Sequence, residues 1–274
     1  MKIPFKEFQH IYNKHLKVIY GFWTLEMQAS IAKHNLGWAE TSFEEYLKKS
    51  VKRFYIAYRN IPEGVKTCCD IGGFWGIYPI VLKELGYDVV MTESMQFYDN
   101  GFDNLFKYIQ EQGVKILDID PFTESFDSVT EFDYVSVMAV LEHIPHSIEF
   151  FMSNLKNIIK TNGSLYIEVP NIAYARKRID LLFGKSPLPS IAMIYKSASP
   201  FIGHHHEYTL RELKTIFVLT NLTITNTECY NYSMAVTPIK IIRYPLSNFA
   251  FLINQKSKEV LAVLGTKSEI KETN

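Results

Sequence analysis

The stretch Cys68-Cys69-Asp70-Ile71-Gly72-Gly73-Phe74-Trp75-Gly76 decides how the rest of the chain is read. Apolar residues lead into an acid, and glycines then open a helical pattern. Such a strand–turn–helix junction lets backbone N–H groups approach a ligand closely. A dinucleotide fingerprint needs glycines at the first, third and sixth positions of the turn. Counting from Gly72 puts Phe74 and Ile77 at the last two, so that reading fails. An acid facing the loop would also repel a pyrophosphate, and it suits a ligand that carries positive charge.

Outward from this junction the pattern repeats. Short apolar runs at 66–71, 88–92, 115–119, 132–138 and 164–169 alternate with helical stretches ending near Leu85, Gln112 and Lys160. Strands separated by helical patterns indicate βαβ units and a mostly parallel sheet. Two further runs, at 223–229 and 259–266, read as closing strands. Ligands in such sheets bind beyond the carboxyl ends of the strands. Residues 1–60 are helical and aromatic-rich, with Ser42-Phe43-Glu44-Glu45 at capping-box spacing. This segment reads as a lid over a cleft or as a helical layer on the core. From about 170 to 208 the alternation lapses over prolines, a basic cluster and aromatics, which suggests a functional insertion. Thr209-Leu210-Arg211-Glu212 opens another helix with capping-box spacing.

Composition narrows the classes. The 274 residues hold 29 basic and 29 acidic side chains and are 47% apolar. That supports a packed core and argues against a protein wrapping long nucleic acid, whose affinity comes mainly from phosphate neutralisation. Three cysteines make no disulfide framework, so a reducing cytoplasm is expected. The first residues lack a secretory pattern, and no run of 18 apolar residues is long enough to span a membrane.

Acids mark successive strand ends. Glu93 ends the second strand and is placed to accept both hydroxyls of a ribose. Asp118 ends the third and is placed to accept from an adenine amino group. With Asp70 they would form one rim.

On these residues the chain resembles the class I S-adenosylmethionine (SAM)-dependent methyltransferases over roughly 60–235. Asp70 to Gly76 matches the D-x-G-x-G-x-G loop of that family, with Phe74 in place of the middle glycine. Phe132-Asp133-Tyr134-Val135 resembles its F-D-x-V strand and Leu141-Glu142-His143-Ile144-Pro145 its L-E-H-x-P segment. The resemblance implies an α/β, Rossmann-like fold. It would hold a seven-stranded, mostly parallel sheet over residues 61–274, with helices on its flanks and the helical segment 1–60 before it. It implies SAM as cofactor and S-adenosylhomocysteine as product. Asp70, Gly72, Gly73 and Gly76 would hold the methionine end and Glu93 the ribose. Asp118 and Ile119 would border the adenine, and Met138 the other side.

A hydroxyl acceptor needs a base, and histidine is the commonest near neutral pH. His143, beside Glu142, and the triplet His204-His205-His206 compete for that role. A divalent metal held by Glu142, His143 and His204 is the alternative. The pattern is similar to the metal-dependent small-RNA 2′-O-methyltransferases, although the first acid of their motif is missing. A metal-free histidine base is preferred.

The segment Pro170-Asn171-Ile172-Ala173-Tyr174 and the later His206-Glu207-Tyr208-Thr209 resemble methyltransferases of polysaccharide and secondary-metabolite pathways, in which the insertion after the fifth strand builds the acceptor pocket. Tyr174, Arg176 and Arg178, with His205 and His206, would then bind a nucleotide-diphosphate sugar destined for capsule or surface polysaccharide. The alternatives are a quinone-like small molecule, an RNA 2′-hydroxyl, or a non-catalytic SAM-binding protein. The stretch 237–254, with Tyr244, Phe249 and Phe251, reads as a homodimer face or as core.

Overall fold

The computed structural model describes residues 2–39, 41–233 and 255–268. The 237–254 stretch therefore lies outside the described residues. Three helices come first: α1 (Phe5–Gly21), α2 (Leu25–His34) and α3 (Phe43–Arg59). The sheet then begins with β1 (Thr67–Ile71), α4 (Ile77–Glu84), β2 (Asp88–Glu93), α5 (Asp103–Glu111) and β3 (Lys115–Asp118). It continues through β4 (Phe132–Met138), α6 (Ile148–Asn157) and β5 (Ile159–Pro170). The 170–208 region carries two short helices, α7 (Ala175–Leu182) and α8 (Ile191–Lys196). The chain closes with α9 (Leu210–Leu219), β6 (Thr223–Tyr230) and β7 (Val260–Thr266).

The seven strands lie in the order β3-β2-β1-β4-β5-β7-β6. Pairing is parallel from β3 through β5, and β7 runs antiparallel to both β5 and β6. Their period of two sorts neighbours onto opposite faces. Cys68, Tyr134 and Tyr166 join the core shared with α1, α3, α4 and α5, whereas Cys69, Val135 and Leu165 face α6 and α9. The adjacent cysteines are both buried and free, on opposite sides of the sheet.

Caps fix several helix starts. The Thr209 hydroxyl accepts from Glu212 N–H, and the Glu212 carboxylate accepts from Thr209 N–H, a complete capping box. Ser42 accepts from Glu45 N–H at 3.3 Å at the start of α3. The N-terminal helices divide their work. Phe8, Tyr12 and Ile19 of α1 and Leu47 and Ile56 of α3 are buried in the main core. By contrast, α2 and the 3₁₀ turn after it present Ser30, Ile31, His34 and Trp38 to the site described below.

The insertion is a closed excursion. Asn171 and Tyr208 form an isolated parallel bridge, and Ile172 N–H donates to the Tyr208 carbonyl at 3.1 Å. Among the described residues no helix is long and apolar enough to cross a membrane.

Candidate active site

At the carboxyl ends of β1, β2, β4 and β5 lies a cavity of about 410 Å³. Its floor is the glycine turn. Gly72 has φ of +63°, and a Cβ there would sit 2.8 Å from Val140 Cγ2, so only glycine fits. Gly76, also at positive φ, serves packing. A Cβ there would come within 2.5 Å of Ile109 on α5, and Gly76 does not line the cavity. Gly73 also lies outside the lining, with Met91 and Asp70 beneath it.

Phe74 is tolerated because the middle position does not need a left-handed backbone. The positive φ values fall at Gly72, Trp75 and Gly76. Phe74 N–H donates to Glu93 Oε2 at 3.0 Å, and its ring contacts Trp38, Phe43 and Trp75. The departure from glycine therefore binds the loop to the helical roof.

The acids of the rim separate. Glu93 faces the cavity, accepts from Phe74 N–H and Tyr98 OH, and burial pushes its carboxyl up to about 7. Asp70 is buried beneath the loop, outside the lining, and accepts from Ser136 Oγ at 2.5 Å. Burial raises it too, to about 7, although the Ser136 bond and the Arg53 charge pull the other way. Asp118 is exposed, caps Met95 N–H at 2.9 Å and does not line the cavity, and neither does Ile119. Two residues on, Asp120 lines it together with Pro121 and Phe122. Met138, Ala139 and Val140 supply the opposite wall.

Beyond β4 a second cluster forms. Glu142 is fully buried, and neither carboxylate oxygen has a hydrogen-bond partner among the described residues. Burial raises its carboxyl to about 7, partly offset by His204. His143 Nδ1 meets the Ile202 carbonyl at 2.9 Å, and His204 Nδ1 meets Glu207 Oε1 at 2.9 Å. In its neutral form each imidazole would carry its proton at Nδ1, against that acceptor, and keep a lone pair at Nε2. His204 Nε2 lies 3.9 Å from Glu142 Oε1, and the two imidazoles stand edge to face at 5.0 Å. Burial, then the His204 charge, lowers His143 to about 4. Burial alone would raise Glu207, but His204 and Lys177 outweigh it and hold the carboxyl below its usual range.

One ligand atom each from Glu142, His143 and His204 lie within 4.8 Å of one another. They are the group among the described residues that can hold a divalent ion. His205 and His206 turn away. Their backbone N–H groups bind the Glu142 carbonyl, and their rings are directed to Phe201 O and Glu212.

The expected acceptor residues lie elsewhere. Tyr174, Arg176, Arg178, His205 and His206 do not line the cavity. Arg178 is exposed and donates to the Ala173 carbonyl, and Lys177 pairs with Glu207. The sequence reading missed Arg53. It reaches from α3 into the lining, pairs with buried Glu168 at 2.6 Å and donates to Tyr46 OH at 3.0 Å. Its only early signal was a charge on the apolar side of a helix, among Leu47, Ser50 and Ala57, all buried.

The groups present fit a ligand with a planar base, a ribose and a positive charge. Phe97, Phe122 and Met138 offer an apolar slot, Glu93 a diol acceptor, and among the described residues no lysine enters the lining. A family model described as a methyltransferase domain matches residues 42–227. The chain belongs to this family of methyltransferase domains, with S-adenosylmethionine as its cofactor.

Among curated proteins, the ubiquinone biosynthesis O-methyltransferase of Rickettsia conorii is 29% identical over 102 residues, 37% of this chain and 34% of that protein. Its counterpart in Rickettsia felis is 28% identical over 102 residues, 37% of this chain and 40% of that one. The match to the R. conorii relative spans about a third of that protein's length. A SAM-dependent methyltransferase from Archaeoglobus fulgidus has a similar fold, with TM-score 0.53, 18% identity, and 81% and 94% of the two chains covered. An O-methyltransferase family protein from Burkholderia thailandensis gives TM-score 0.54, 11% identity and coverage of 95% and 72%.

Proposed function

We propose that this chain transfers a methyl group from SAM to a hydroxyl of an uncharged, largely apolar small molecule. One observation carries the choice of acceptor. Among the described residues, the cavity lining holds five carboxylates and a single arginine already paired with one of them. Such a lining disfavours a diphosphate. The basic residues 176–178 and 185, on which a nucleotide-sugar acceptor would depend, all lie outside it. Aromatic walls (Trp38, Tyr46, Phe97, Phe122, Tyr232) suit a flat or oily acceptor. The ubiquinone-biosynthesis names of the Rickettsia relatives agree with a quinol-like hydroxyl.

When bound, SAM supplies an already activated methyl on sulfonium. The protein has to align the acceptor and move one proton. Alignment of two bound partners contributes up to about 7–11 kcal/mol in ideal cases. Glu93 would hold the ribose hydroxyls, and Arg53, whose Nε lacks a hydrogen-bond partner among the described residues, would meet the cofactor carboxylate. His204 takes the hydroxyl proton at Nε2. Glu207 holds its ring through Nδ1, and the nearby Glu142 carboxylate stabilises the imidazolium that results. His143, depressed to about 4, is too weak a base for this role and shapes the pocket instead.

The test is a turnover screen with catechol or quinol analogues, UDP-sugars and short RNAs. Methyl transfer to the first set is expected. Transfer to a UDP-sugar alone would return the acceptor to the nucleotide-sugar class.

A further inference from the structure

The insertion is unlike the rest of the surface. Thirteen large apolar side chains are exposed among the described residues, and seven of them fall between 181 and 195. Leu182, Phe183, Ile191 and Tyr195 are each more than 70% exposed. Ile191, Ile194 and Tyr195 are spaced to share one face of α8, while Met193 sits against Gly37 near the cavity wall. In a chain with no net charge, residues 175–203 carry five basic side chains and one acid, Asp180. Arg178, Lys185 and Lys196 are exposed and flank the apolar residues.

We propose that this excursion docks the protein onto the surface of an anionic lipid bilayer. Exposed leucine and aromatic side chains bordered by lysine and arginine have the chemistry of an interfacial anchor. The apolar groups enter the headgroup boundary and the cations meet acidic lipids. A second copy of this chain is a poorer partner, because it would bring the same positive charges together.

The excursion is also tied to the wall of the cavity. Ala198 N–H donates to the Lys33 carbonyl at 2.9 Å, Ile202 N–H to His34 O at 3.0 Å, and Leu36 N–H to Ser197 Oγ at 3.3 Å. His34 and Asn35 of that same segment line the cavity. Docking there sets the wall of the site against the phase in which an apolar acceptor dissolves. This purpose rests on the apolar-acceptor reading, but the docking itself is measured without any acceptor.

The experiment is co-sedimentation of the full chain with phosphatidylcholine vesicles and with phosphatidylcholine–phosphatidylglycerol vesicles. Binding to the anionic vesicles, reduced by salt, is expected. Lys185→Glu and Lys196→Glu should each weaken it on the order of fivefold, and Phe183→Ser with Ile191→Ser should abolish it. All these positions are exposed, and circular dichroism and S-adenosylhomocysteine affinity should stay as in the parent. Absence of binding to anionic vesicles at low salt overturns the proposal. So does binding that the charge variants leave intact, or concentration-dependent self-association through Phe183 and Ile191 in its place. Failure of the acceptor screen with vesicle binding intact strikes only the acceptor reading, and the converse strikes only this one.

Discussion

The two ends of the cavity are built differently. The proposed cofactor end is made from neighbours in sequence: the Gly72 turn and Glu93 lie 21 residues apart on adjacent parallel strands. The proposed acceptor end joins distant pieces, since His204 reaches Glu142 across 62 residues. Short spacing on a repeated βαβ unit fixes geometry directly. Distant pieces meet only once an irregular insertion has folded back.

The largest expected effect separates these ends. His204→Ala should lower turnover about 10²–10⁴-fold, the usual worth of a general base, with S-adenosylhomocysteine affinity unchanged by calorimetry. A parallel loss of affinity would mean that the two ends are one unit. Gly76→Ala should act on the cofactor end through folding. It forces an alanine to φ of +65° and a Cβ into Ile109, for about 2–4 kcal/mol of lost stability in urea unfolding.

Glu93→Ala should weaken the cofactor by about 1.5–3 kcal/mol, the range for hydrogen bonds to a charged group. Because burial raises Glu93 to about 7, wild-type affinity should also fall as pH drops below about 7, and Glu93→Gln should flatten that profile. Wild-type affinity in Glu93→Ala would remove the ribose assignment.

The smallest effect is on stability. Glu142 holds its proton more tightly folded (about 7) than unfolded (roughly 4.3). Its contribution to stability is therefore full below about 4.3 and is lost as pH rises through about 7. Glu142→Gln should raise the thermal midpoint at pH 8, change it least near pH 4.5, and slow turnover. Turnover is expected to survive EDTA. Loss by EDTA and recovery with Mn²⁺ would assign Glu142, His143 and His204 to an ion instead.

Legibility followed the same division. Every strand read as such in the sequence is present, and Glu93 and Met138 both line the cavity. Asp118 was less legible. A strand-end acid and the acid two residues later look alike in sequence, and only the capping of Met95 N–H tells them apart. The basic residues of the insertion looked like an anion pocket because they cluster in sequence. In three dimensions Lys177 is drawn to Glu207 and Arg178 to the Ala173 carbonyl, away from the cavity. Of three consecutive histidines only His204 points inward, which no one-dimensional spacing specifies.

The loop that exchanged a glycine for Phe74 has an optical consequence. The chain's three tryptophans are Trp23, Trp38 and Trp75. Trp75 packs at a tilt against Trp23 and Phe43, and Trp38 contacts both Phe43 and Phe74. Every indole of the protein thus sits in one aromatic block around the cofactor turn. Intrinsic fluorescence is consequently a built-in spectroscopic gauge of that turn, readable without a label, and energy transfer among the three rings makes it a single collective signal.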